Sequence, residues 1–291
     1  MVANLVLIRV VRSDGKNYTI GVGEWKIPSD GLKGIDFPSF SLFSEKNAIG
    51  DGALLSGKRV NDRDVQVTAR SVNPKHNLAN RTEAISFFNP KYSFKLYVTY
   101  LGVTRWLDAE LQGFSCPSEN IYRPMQMVVK FYCKDGFMKS VDDFGQDIAS
   151  IEPGFGFPYI ETHLDDDPVI PAYADLYAFN QEVTIDNDGD TVTYPRVTIS
   201  FNGTTVNPKI YKDNYFVRIL DTFDEGDVVE IDFENCTIKK NGQNWIHYID
   251  RASTFTDMGL GMGSNTFGFE ADDGDSHMHV FLYFNKLFLG L

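Results

Sequence analysis

The sequence predicts a mainly β protein, a sheet domain with one helix followed by a β-sandwich, and three observations lead there. Aromatic residues make up 14% of the chain and 24 glycines interrupt it, a composition suited to strands and tight turns. Apolar and polar side chains alternate with period two in segment after segment. One stretch alone combines a helical pattern with a stop signal.

With 291 residues, 43% of them apolar, the chain can bury a good core in one large or two medium domains. Charge favours two. Residues 1–143 carry 19 basic against 15 acidic side chains, and residues 144–291 carry 8 against 25, so the halves read as different modules. The acidic second half repels phosphate backbones and anionic membranes, and the first half has no dense basic stripe; specific nucleic-acid binding and membrane binding are both disfavoured. Cys116, Cys133 and Cys236 are odd in number and lack metal-ligand spacing, so they read as reduced core residues. The opening MVANLVLIRVV reads as a strand rather than a signal peptide. No run approaches the roughly 18 apolar residues of a spanning helix, and the expectation is a protein made and kept soluble in a cytoplasm.

Taken in order, residues 5–11 form a strand, and Ser13-Asp14-Gly15-Lys16 turns the chain back through Tyr18 and Ile20. The segment from about Gly31 to Gly57 lacks periodicity and reads as a long loop or irregular arm. Val65, Val67 and Ala69 then alternate with polar residues. The helix follows: Asn80 and Glu83 stand at capping-box spacing, Leu78, Ile85 and Phe88 fall near one face, and Asn89-Pro90 ends the run. Phe94 to Tyr100 and Met127 to Cys133 alternate again, completing a first domain over 1–140.

Residues 136–168, with Phe155-Gly156-Phe157-Pro158-Tyr159, coincide with the change of charge and mark the junction to a second domain over 141–291. Beyond it, Val197 to Phe201, Tyr215 to Ile219 and Val229 to Phe233 are short alternating strands. Asp188-Gly189, Asn202-Gly203 and Asn241-Gly242 are their turns, the pattern of an antiparallel sandwich.

Candidate chemistry is sparse. Asp186-Asn187-Asp188-Gly189-Asp190 resembles a calcium loop, but Gly189 is fourth and Val197 twelfth where a calcium loop of the EF type needs Gly sixth and Glu twelfth, so a hairpin turn is the better account. His277-Met278-His279 places two imidazoles on one strand face near Asp272, Asp273 and Asp275, with no third fixed metal ligand. Asp165-Asp166-Asp167 and the pair Glu230/Asp232 are the carboxylate groupings a glycosidase would need, yet they read as linker and outward strand face. Gly259, Gly261 and Gly263 lack the lysine and helix of a phosphate loop. No nucleophile motif is present. The reading is therefore non-enzymatic, with no catalytic, cofactor or metal residues and no cofactor.

The order of these features resembles a known family. The opening hairpin, Asp51-Gly52 followed by Gly57-Lys58-Arg59, the strand 65–70, Phe87-Phe88-Asn89-Pro90 and the strand ending Phe131-Tyr132-Cys133 are similar to the N-terminal domain of siphophage distal tail proteins. Thr193 to Ile199, Asn207-Pro208-Lys209-Ile210, Gly226-Asp227, Ile231-Asp232 and Asn241-Gly242 follow in the order of that family's C-terminal domain.

The resemblance implies a split-barrel first domain that closes with five further copies into a hexameric ring, and a projecting galectin-like, jelly-roll sandwich. It also implies that the last residues, roughly Val280 to Leu291, return to the first domain. The implied place is the tail tip of a phage or prophage virion, assembled in the bacterial cytoplasm between the tail tube protein and a tail-associated tip protein, with receptor-binding proteins or host glycans as further partners. The alternative is a carbohydrate-binding module stacking sugars on Trp245, Tyr248 and Tyr211.

Overall fold

The computed structural model describes residues 6–46, 51–117, 123–141, 144–147, 151–153, 177–179 and 182–291. Mainly β throughout, the chain forms two compact units, Met1–Asp142 with Lys286–Leu291, and Asp143–Asn285.

The first unit is built from β1 (Val6–Arg12), β2 (Asn17–Ile20), β3 (Trp25–Lys26), β4 (Leu32–Lys33), β5 (Phe40–Lys46), β6 (Ala53–Val60), β7 (Arg63–Ser71), α1 (Asn77–Phe87), β8 (Ser93–Tyr100), β9 (Val103–Ser115), β10 (Gln126–Cys133) and β11 (Met138–Ser140). Its main sheet runs β2-β1-β8-β9-β10-β7-β3. Because β2 and β3 follow one another in the chain, the sheet curls into a nearly closed barrel. The closing turn needs Gly21, whose φ is +107° and where a Cβ would meet the Val6 carbonyl oxygen at 2.6 Å. Alternation delivers Ile8, Val10, Val65, Val67, Leu96, Val98, Val129 and Phe131 to one core, the period-two consequence of a strand with one buried face.

The helix differs from its expected form. It starts at Asn77 after a short Pro74–His76 turn, and that turn is capped by Asn73, whose side chain accepts from the Lys75 amide. Asn80 is buried inside it, donating to the Glu24 carboxylate at 3.2 Å, and so caps nothing. Leu78 and Ile85 face out, 78% and 45% exposed, while Asn77, Asn80, Ala84 and Phe87 form the buried face. Polar groups can hold that face because each is answered: Asn77 bonds Ser71 and the Arg123 carbonyl. The C-terminus is closed by Arg12, which donates to the Ser86 and Phe87 carbonyls.

The second unit contains β12 (Phe144–Asp147), β13 (Ile151–Pro153), β14 (Tyr177–Phe179), β15 (Glu182–Asn187), β16 (Arg196–Phe201), β17 (Thr205–Val206), β18 (Lys209–Lys212), β19 (Tyr215–Arg218), β20 (Thr222–Phe223), β21 (Val228–Asp232), β22 (Thr237–Lys240), β23 (Gln243–Asn244), β24 (Gly263–Glu270) and β25 (Met278–Phe284). One sheet runs β12-β25-β16-β21-β22-β23 and another β15-β24-β18-β19. Both send their inward residues, among them Val197, Ile199, Val229, Ile231, Ile210, Val217, Phe267, Phe269, Val280 and Leu282, into one core, which makes the unit sandwich-like. Asn241 and Gly242 both take positive φ, 50° and 80°, the primed two-residue turn expected of Asn-Gly between β22 and β23. Asp188-Gly189 is not a hairpin turn: β15 pairs with β24 and β16 with β21 and β25, so this turn carries the chain from one sheet to the other.

Candidate functional site

The segment from about Gly31 to Gly57, expected to be a long loop or irregular arm, carries the short strand β4 and, from Phe40 onward, the β5–β6 hairpin. β5 and β6 pair from Phe40↔Val60 to Lys46↔Ala53, with a bulge at Phe43/Ser44 where the Ser56 hydroxyl donates to the Phe43 carbonyl at 3.0 Å. At its root the Asn61 amide donates to the Ser39 carbonyl, and the Ser41 hydroxyl to the Asn61 side chain. Phe40, Leu42, Phe43, Leu54 and Leu55 are 48–66% exposed, and Phe37 stands edge-on to Phe40 at 6.1 Å. A two-stranded hairpin with apolar residues facing water is marginal by itself, and these exposed side chains lie on both of its faces. Leu78 and Ile85 of α1 add to the exposed apolar surface of the unit.

Buried arginines brace this unit. Arg63, 3% exposed, donates to the carbonyls of Gly34, Asp36, Gly136 and Leu289. The closing strand Leu287–Phe288 pairs with β11, and the Arg105 guanidinium lies 3.7 Å from the Phe288 ring centre.

The sequence candidates in the second unit fall into structural roles. Asn187 is 1% exposed, donates to the Thr191 and Leu260 carbonyls and accepts from the Gly189 amide, so it organises the turn read as a calcium loop. His277 ends a short turn, Asp275–His277, rather than sharing a strand face with His279; its Nδ1 lies 3.0 Å from the Thr204 carbonyl, while His279 Nε2 meets the Asn202 amide. Glu230 and Asp232 do face outward on β21: Glu230 is paired across strands with Thr198 and Lys239, and Asp232 lies 3.7 Å from the Arg196 Nε. Asn265 holds the Gly259–Gly263 segment by bonds to Gly261 and Gly263. Asp165-Asp166-Asp167 and Phe155 to Tyr159 lie outside the described residues. Among the described residues no three His, Cys, Asp or Glu side chains converge as for a metal, and no helix is long and apolar enough to cross a membrane.

The aromatic candidates separate into two places. Trp245 donates to Asp221 at 2.9 Å and stacks on Tyr248 with ring centres 4.8 Å apart, and Tyr248 remains 37% exposed. Tyr211 stands on the outer face of the β15-β24-β18-β19 sheet, donating to Glu182 at 2.9 Å. Its phenol end fills the space over Gly268, where a Cβ would meet Cζ at 2.3 Å. Burial, then the Glu182 carboxylate, push Tyr211 up to about 12.

Beside Tyr211 the sheet carries a polar recess of about 80 Å³ that the sequence had not revealed, lined by Asn207, Lys209, Phe216, Arg218, Glu270 and Asp272. Lys209 pairs with Glu270, and Asp272 accepts from both Asn207 and Arg218. These bonds, Asn207 first and Arg218 next, hold the Asp272 carboxyl below its ordinary range. Register assembles the set: Lys209 stands opposite Glu270 and Arg218.

Comparison with known proteins bears on both units. Residues 188–287 match the family model described as the siphovirus-type tail component, C-terminal domain. No curated protein matches the chain. The fold is similar to the crystal structure of the Dit protein of phage SPP1, described as a paradigm of the hub adsorption apparatus of phages infecting Gram-positive bacteria: TM-score 0.66, 14% identity, 97% of this chain and 99% of that one. It is also similar to a chain of the phage P2 baseplate in its activated conformation with calcium, at TM-score 0.52 and 8% identity over 97% and 98% of the two chains. The strontium form gives 0.52 and 9% over the same shares.

Proposed function

We propose that this chain is a structural, non-catalytic subunit of the tail tip of a long-tailed phage or prophage, closing with five copies of itself into a hub ring between the tail tube protein and a tail-associated tip protein. The observation that carries the reading is coverage: the fold is similar over 97% of this chain to a protein described as a paradigm of a hub adsorption apparatus. The family match over 188–287 supports it independently, from sequence.

The physical requirements of such a ring are consistent with the surfaces present. A cyclic assembly needs a head-to-tail surface that closes on itself. The β5–β6 arm offers unpaired strand edges and apolar side chains for a neighbouring copy to cover. Assembly takes place in the bacterial cytoplasm and the product is the virion tail tip. A channel for DNA should hold it weakly, which carboxylates facing the lumen would favour by repulsion.

Sedimentation and particle imaging of the purified chain test this. Rings of six subunits are expected, either alone or on mixing with the tail tube or tip protein. A chain that stays monomeric at high concentration in the presence of both would overturn it.

A further inference from the structure

We propose that Asn202-Gly203, in the loop that leaves β16, is a self-modification site at which the asparagine amide is lost through a cyclic imide to give aspartate and isoaspartate. The chain holds two Asn-Gly steps, Asn202-Gly203 and Asn241-Gly242, and both asparagines are exposed. The fold treats them differently.

The difference lies in what holds each side chain. Asn241 is locked: its Oδ1 accepts from the Val228 amide at 2.9 Å and its Nδ2 donates to the Asp227 carboxylate at 2.8 Å. Imide closure requires Cγ to turn onto the nitrogen of the next residue, so at 241 both bonds must break. Asn202 has a single side-chain contact, its Nδ2 lying 3.2 Å from His279 Nε2, and among the described residues no donor reaches its oxygen. Among the same residues no protein group accepts from the Gly203 amide.

Register sets up the arrangement. Ser200 stands opposite His279 and Phe201 opposite Met278, and the Asn202 amide continues the ladder onto the His277 carbonyl at 3.0 Å. Asn202 therefore shares a sheet face with His279 and stands diagonal to it. Packing imposes glycine at the next position, because a Cβ on Gly203 would meet the His277 ring at 2.8 Å. Glycine is also the residue whose nitrogen is least shielded, so the fold retains the dipeptide most open to attack.

The reaction follows from these placements. Solvent base removes the Gly203 amide proton, and the nitrogen attacks Asn202 Cγ to form the new C–N bond. The Cγ–Nδ2 bond then breaks, and Nδ2 leaves as ammonia after receiving a proton. His279 Nε2, within hydrogen-bond reach of that atom, delivers the proton and, being part-exposed, recovers one from water. Water opens the imide at either carbonyl; the net change is one water consumed and one ammonia released. Isoaspartate lengthens the main chain by one carbon in a loop whose Asn202 amide and Thr204 carbonyl both hold His277.

The test incubates the folded full chain in mildly alkaline buffer made with heavy-oxygen water. Its proteolytic peptides are then mapped by mass spectrometry, with fragmentation that separates isoaspartate from aspartate. Asn202 should convert to acid carrying the heavy oxygen at least about tenfold faster than Asn241, the factor for breaking one or two further hydrogen bonds. In denaturant the two sites, which share the same dipeptide, should react at similar rates. His279→Gln should slow the reaction at Asn202 at least about tenfold, as loss of a positioned proton donor does, and leave Asn241 unchanged. Equal or faster conversion of Asn241 in the folded chain, or an Asn202 that reacts only after unfolding, overturns the site. An unchanged or faster rate at Asn202 in His279→Gln, or equal slowing at both sites, overturns the role assigned to His279.

Discussion

The guanidinium of Arg63 donates to the carbonyl oxygen of Leu289, 226 positions later in the chain. The same group reaches the Gly34, Asp36 and Gly136 carbonyls, so one side chain at the start of β7 ties four segments of the first unit together. Among the described residues no carboxylate is hydrogen-bonded to it. Burial accordingly lowers the Arg63 pKa, yet the carbonyl dipoles keep a charged group tolerable.

Arg63→Met should therefore leave several carbonyls without a donor and destabilise the first unit by about 3 kcal/mol. Arg63→Lys should recover only part, since an ammonium cannot span the same fork of acceptors. Amide hydrogen exchange in β7 and β11 reads the effect directly. Unchanged protection in Arg63→Met would show that the clamp contributes nothing.

Acid should loosen the β1–β2 turn. Asp14 is held down to about 2, first by its hydrogen bond from Arg12. A carboxyl whose folded pKa lies below its unfolded one stabilises the fold fully above the unfolded value, and loses that contribution as pH falls through the folded value. The window here runs from about 4 down to about 2. Because Arg12 also closes α1, Gly15 and Phe87 amide resonances should titrate together over that range, and Asp14→Asn should abolish the joint transition.

Thiol chemistry should distinguish the three cysteines. Cys116 and Cys133 are buried, and burial pushes Cys133 up to about 12 and raises Cys116 as well. Cys236 is exposed, in the turn between β21 and β22. A thiol reagent at pH 8 should modify Cys236 quickly and the other two only on unfolding. Fast labelling of Cys133 in the native protein would contradict its placement in the barrel core.

What the sequence made legible depends on whether a residue's neighbours are local. The Val65, Val67, Ala69 strand and the Asn241-Gly242 turn were readable because one buried face and one turn geometry dictate residue choice within a few positions. The helix face was misread because apolar Leu78 and Ile85 lie outside while Asn77 and Asn80 lie inside, a reversal that only tertiary partners such as Ser71 and Glu24 explain. The β5–β6 arm showed no alternation since neither of its faces is buried. The recess was invisible for a different reason: Lys209 and Glu270 are 61 positions apart and meet only through the β18–β24 register.

The arm provides the sharpest test of the proposed ring. Leu42 and Leu54 are 56% and 66% exposed on it, so they contribute little to the isolated fold. Leu42→Ser with Leu54→Ser should change stability by less than about 0.5 kcal/mol, as surface substitutions do. If a neighbouring copy covers them, each buried leucine contributes roughly 1.5–3 kcal/mol to association, and the double variant should weaken self-assembly about a hundredfold or more. Sedimentation across a concentration series measures the second quantity and thermal unfolding the first. Rings that persist undiminished in the double variant would mean that the arm is bare in the assembly and that the subunits join through the remaining barrel surface.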